Sequence, residues 1–176
     1  MYKKKYGRMT VSAWLSSEME QSSPVLMILG GIVTLMAGLF VRFAVGAPYQ
    51  MMLELGVGDI VPPVWIMALL WSVELFTVGC AAGFVLGHAD RGGGEKYKGC
   101  MFFLLFVLLE MLWYPTFFSA GLVFVSVLLA ILILCLSVSI TACFYRVTKF
   151  AGMIFLLHDV WLIYMLILNF MVLFRN

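Results

Sequence analysis

Five apolar runs, at 24–46, 62–87, 100–118, 122–145 and 150–174, take up most of this chain. A helix needs roughly 20 apolar residues to cross about 30 Å of hydrocarbon. Within lipid a backbone must satisfy its own polar groups, and a helix does so inside one segment. A water-soluble fold is excluded by composition. Of 176 residues, 64% are hydrophobic and only 11% charged, with mean hydropathy +1.09. Soluble domains run to about half apolar and about a quarter charged, and their outer surface must be wetted. The fold class expected is all-α, an integral membrane bundle of five transmembrane helices. Residues 1–23 read as a basic, amphipathic N-terminal segment and 24–176 as the membrane domain.

Lys3, Lys4, Lys5 and Arg8 precede the first run, as in a secretory leader, and Ala44-Val45-Gly46-Ala47 resembles a cleavage site. The run from Pro24 to Gly46 is too long for a leader core and begins too late, so an uncleaved first helix is expected. Pro62-Pro63 opens the second run, where a missing amide does no harm. His88 to Gly99, with Gly92-Gly93-Gly94, is the one hydrophilic interior linker. Phe118 to Gly121 reads as a tight turn, and Arg146 to Lys149 as the break before the last run.

With five spans, the N-terminus, the 88–99 linker and the 146–149 turn share a side. That side carries nine cations: Lys3, Lys4, Lys5, Arg8, Arg91, Lys96, Lys98, Arg146 and Lys149. The other carries Arg175, with Arg42 near the end of the first span. The bias puts the N-terminus in the cytoplasm, as in a bacterial plasma membrane, and the Ala47–Val61 loop outside.

Net charge is +2 and no basic stripe is present, so nucleic acid is not a partner. The four cysteines (Cys80, Cys100, Cys135, Cys143) form no C-x-x-C pair, and neither a metal site nor a disulfide framework is expected. No nucleophile elbow, phosphate loop or H-E-x-x-H occurs, so no catalytic residue is assigned.

Charges at membrane depth are costly and mark candidate sites. Glu74 and Glu110 lie midway in the second and third spans, and His158 and Asp159 in the first half of the fifth. Glu110, Trp113 and Phe117 share a helical face by spacing, as do His158, Trp161 and Asn169. Two readings stand. These groups hold helices together by hydrogen bonds, Arg42 taking an acidic partner, or they line a cavity. Trp14 is placed at the membrane interface ahead of the first span. Trp65, three residues into the second run, fits an interfacial belt. Trp71, Trp113 and Trp161 are deeper, where indoles suit a flat apolar ligand.

Pro62-Pro63-Val64-Trp65, Trp71-Ser72 and Gly79-Cys80-Ala81 resemble the P-P-x-W-x(5)-W-[ST]-x-L-Y-x(3)-G-x-A signature of the TspO/MBR family, the tryptophan-rich sensory and translocator proteins. Trp113-Tyr114-Pro115-Thr116-Phe117-Phe118 is similar to the family's N-x-x-W-x-P-x-F-F. Ala151, Trp161 and Leu168-Asn169 keep the family's spacing in the fifth span, and Gly30-Gly31 with Phe40-Val41-Arg42 extend the likeness over about 24–176. The departures are Leu75 for tyrosine, Glu110 for asparagine, Pro48-Tyr49 for W-Y, and Leu157-His158 for P-Y. Phe170 and Phe174 stand where a sterol-recognition pattern would carry tyrosine.

The resemblance implies a pocket inside five helices that takes porphyrins and other tetrapyrroles, benzodiazepine-type ligands or sterols, in a protein that is often a homodimer. Together with the charged residues at depth, this gives an expected ligand site of Trp65, Trp71, Glu110, Trp113, Phe117, His158, Trp161 and Asn169. No cofactor is required; porphyrin or haem enters as a ligand, and the remaining partner is membrane lipid. The function expected is sensing or translocation of such a ligand. The alternatives are a small ion-coupled transporter using Glu74, Glu110 and Asp159, or light-dependent porphyrin degradation involving Trp65, Trp71 and Trp161.

Overall fold

The computed structural model describes residues 10–46, 62–88 and 93–175. Six helices stand among them: α1 Val11–Glu20, α2 Pro24–Val45, α3 Val64–Gly87, α4 Gly94–Phe118, α5 Val123–Val147 and α6 Lys149–Arg175. The last five are each long and apolar enough to cross a membrane. The protein is therefore an all-α integral membrane bundle of five transmembrane helices.

Local chemistry sets the helix ends. Thr10 caps α1 by accepting from the Ala13 amide at 3.4 Å, and Ser23 caps α2 by accepting from Leu26 at the same distance, with Pro24 just inside. Gly121 takes a φ of +64° between α4 and α5, a conformation open to glycine without steric cost.

Two boundaries differ from the apolar runs. Helix α4 starts at Gly94, six residues before Cys100, and absorbs half of the polar linker. Helices α5 and α6 are separated by Thr148 alone. In both places the apolar run marks where hydrocarbon ends, while the helix continues into the polar layer. Glu95 sits in the first turn of α4, where carboxylates favour the helix dipole, and pairs with Arg146 at 3.3 Å.

The polar ends fix which termini lie together. Lys96 donates to the His88 carbonyl at 3.0 Å. Thr148 donates to the Glu18 carboxylate at 2.8 Å, and Ser22 to the Phe84 carbonyl at 2.9 Å. Helix α1, the end of α3, the start of α4 and the α5–α6 junction thus share one end. Lys96, Lys98, Arg146 and Lys149 are at that end. The remaining cations of the charge bias (Lys3, Lys4, Lys5, Arg8, Arg91), the Trp14 side chain, Pro48-Tyr49 and the 47–61 loop lie outside the described residues.

Helix α2 packs most closely on α3, through small residues. A Cβ on Gly30 would meet the Gly79 carbonyl oxygen and lie 3.2 Å from the Gly83 Cα, and a Cβ on Gly83 would meet the Leu26 carbonyl. Lipid tails are as apolar as leucine, so close backbone approach replaces the hydrophobic drive that holds soluble helices together. The core among α3 to α6 is aromatic: Phe84, Phe106, Phe144 and Phe155 are almost wholly buried. Phe40, Phe43, Leu157 and Phe174 point outward.

Candidate ligand site

The polar residues at depth come from four helices and sort by how they are partnered. The Glu74 carboxyl of α3 and the His158 imidazole of α6 lie in contact, Oε1 to Nδ1, with side-chain exposures of 8% and 1%. The basic partner of Glu74 is thus His158. Arg42, for which an acidic partner was expected, sits half-buried in the last turn of α2, and the residue in contact with Glu74 is the His158 imidazole of α6. The His158 ring stands edge-on to Phe106, with centroids 5.0 Å apart.

Asp159, the next residue on α6, faces α5. Ser137 donates to its Oδ1 at 2.5 Å and Thr141 to its Oδ2 at 2.8 Å. The two hydroxyls are four residues apart and so lie on one face of α5. This carboxylate is satisfied as an interhelical clasp. Ser137 and Thr141 were missed by sequence reasoning, although their i, i+4 spacing in an otherwise apolar span was the available signal.

Trp113 of α4 donates through Nε1 to Asn169 Oδ1 of α6 at 3.3 Å, and Asn169 Nδ2 donates back to the Met165 carbonyl at 2.7 Å. Phe117, one turn further along α4, stacks on the Trp113 indole at 5.3 Å and 12°. Glu110, Trp113 and Phe117 are all buried on one face of α4. Trp71 is buried, stacked on Tyr114 at 5.0 Å. Trp65 is 68% exposed on the outer surface at the start of α3 and is not brought to the other candidates.

Glu110 is 5% exposed, and its Oε2 has no hydrogen-bond partner among the described residues. It lines a cavity of about 30 Å³ with Trp113, Ile133, Trp161, Leu162 and Met165. An open groove of about 500 Å³ between α3 and α6 also includes Trp161, with Pro62, Leu70, Leu157, Val160 and Tyr164. Trp161 is half-buried, tilted against Tyr164 at 5.4 Å, and is the wall the two spaces share. Tyr164 was not foreseen, and its spacing of three from Trp161 is the signal that could have shown it.

A polytopic membrane protein has thus buried Glu74, Glu110, His158, Asp159, Trp71 and Trp113 in the bundle interior, beside a lateral groove. The profile of the TspO/MBR family matches residues 23–175, and the chain belongs to that family. In general terms it is a membrane protein of the tetrapyrrole- or sterol-binding or sensing kind. No curated protein and no solved structure matches it.

Proposed function

We propose that this protein binds flat hydrophobic ligands of tetrapyrrole type, to sense or translocate them, at the tryptophan-lined site around Trp161. The observation that carries this is the position of Trp161, common to the groove and to the buried cavity. The cavity holds about two waters' worth of space, far less than the roughly 300–1,000 Å³ of ligand pockets. The groove falls within that range, so the ring system rests there against Trp161 and Tyr164. Indole and phenol faces suit a flat aromatic guest. Porphyrin or haem is the ligand and not a cofactor, lipid surrounds the bundle, and a homodimer is the proposed assembly. The cations gathered at the α1 end support placing that end in the cytoplasm of a bacterial plasma membrane.

The test is a protoporphyrin titration of the purified protein followed by tryptophan fluorescence, with Kd taken from the curve shape and not its amplitude. Trp161→Ala is expected to weaken binding about tenfold, a loss of roughly 1.4 kcal/mol. Trp65→Ala, on the outer surface, is expected to leave it unchanged. An unaltered Kd in Trp161→Ala removes the site.

One observation favours a second reading. Glu74, His158 and Glu110 bring three ionisable groups from three helices to membrane depth, the setting in which transporters bind coupling ions. Asp159 does not belong to that set, since two hydroxyls already hold it. Uptake into proteoliposomes that follows a pH gradient and is lost in Glu110→Gln would establish coupling.

A further inference from the structure

The ionisable groups in the interior do not balance. His158 matches Glu74, and the hydroxyls of Ser137 and Thr141 satisfy Asp159. Glu110 is the carboxyl left over. Its Oε2 has no hydrogen-bond partner among the described residues, and neither do the second oxygen of Glu74 or Nε2 of His158. It lies about 24 Å along α4 from Gly94, sixteen residues at 1.5 Å each. A carboxyl held there without a counter-ion must carry a proton or meet a cation, because an isolated charge in low dielectric is expensive.

The cavity beside it has the walls a cation wants. Trp113 and Trp161 both line it, and an indole face attracts a cation within about 6 Å of its centroid. Trp113 is fixed in orientation by its bond to Asn169 and by the Phe117 ring. Met165, Ile133 and Leu162 complete a largely apolar lining. About 30 Å³ suits a primary ammonium and little more.

We infer that this recess takes the cationic nitrogen of a hydrophobic amine, with the Glu110 carboxylate as counter-ion and Trp113 and Trp161 as its walls. The inference rests on the groove reading above and narrows it. The ring lies in the groove, the basic nitrogen passes Trp161 into the recess, and any carboxylate on the ligand is turned away from Glu110 by like charge. Ammonium and carboxylate within contact distance attract far more strongly here than in water.

The experiment compares two ligands of one shape, 2-naphthylmethylamine and 2-ethylnaphthalene, at neutral pH. They differ only in an ammonium against a methyl group. Binding is measured by equilibrium dialysis against the full-length protein in phosphatidylcholine nanodiscs, with protein-free nanodiscs subtracted for lipid partition. The amine is expected to bind about tenfold tighter than the hydrocarbon, and Glu110→Gln to bring the two together. Equal affinities in the wild-type protein overturn the proposal without any variant. A preference for the amine that survives Glu110→Gln overturns it as well. Protoporphyrin binding measured on the same samples separates the two ideas. Its loss in Trp161→Ala with no amine preference sinks the recess and keeps the groove. An amine preference abolished by Glu110→Gln, with the protoporphyrin Kd untouched by Trp161→Ala, keeps the recess and sinks the tetrapyrrole reading.

Discussion

Replacing His158 by leucine tests whether the buried Glu74–His158 pair governs stability. Glu74 and His158 retain 8% and 1% of their side-chain exposure, so neither polar group is relieved by water once its partner is gone. Removing one member of a buried pair costs about 3–5 kcal/mol, because the other charge stays behind uncompensated. Lost edge-to-face contact with Phe106 and Phe155 adds something of order 0.5–1.5 kcal/mol per ring, which the leucine side chain partly restores. His158→Leu is therefore expected to lose about 3–5 kcal/mol. Glu74→Leu is also expected to destabilise, by about 1–3 kcal/mol, since it leaves the buried imidazole as an unsatisfied polar group.

The double variant Glu74→Leu with His158→Leu decides the matter. Replacing both members of a buried pair by apolar residues is often neutral or stabilising, so the double variant is expected to be more stable than His158→Leu alone. The assay is reversible unfolding by SDS from mixed micelles, followed by far-ultraviolet circular dichroism at fixed lipid content. If His158→Leu unfolds within about 1 kcal/mol of wild type, or the double variant is no more stable than that single one, the pair does not hold α3 to α6.

Two further predictions use the same assay. Gly83→Leu is expected to lose about 1–3 kcal/mol, because its Cβ meets the Leu26 carbonyl and α2 must move away from α3; Gly94→Ala, with open space around it, should be silent. Asp159→Ala is expected to lose about 1.5–3 kcal/mol through its two hydroxyl partners, and Asp159→Asn less, since one carbonyl oxygen remains to accept.

The spans were legible because hydrocarbon imposes a length and a polarity on each helix, and both are written in the residue order. The helix ends were less so. Gly94 to Gly99 is polar and glycine-rich, and only the Glu95–Arg146 pair and the Lys96 bond to His88 show why a helix starts there. The shared face of Glu110, Trp113 and Phe117 followed from 3.6-residue periodicity, which needs no tertiary information. The Glu74–His158 and Asp159–Ser137 pairings did not. Each joins residues from different helices, and periodicity gives the face of a helix without saying which neighbour it meets. Trp65 illustrates the same gap. It shares the motif that carries Trp71, yet six positions along α3 turn it to the outside while Trp71 stacks on Tyr114.

Helices in lipid need a separate adhesive for each interface, and four can be named here. Glycines join α2 to α3, the Glu74–His158 pair joins α3 to α6, and Trp113–Asn169 joins α4 to α6. The Asp159 clasp joins α5 to α6. Glu110 is absent from every one of these. A glutamine there would fill the same space and offer hydrogen bonds without a buried charge. A structural role would be served at least as well by that neutral side chain, so adhesion does not explain an acid at this position. The carboxyl faces the cavity beside Trp161. Held neutral, the carboxyl does no more than a glutamine would; as a carboxylate it needs a partner, and a positive charge entering the cavity supplies one.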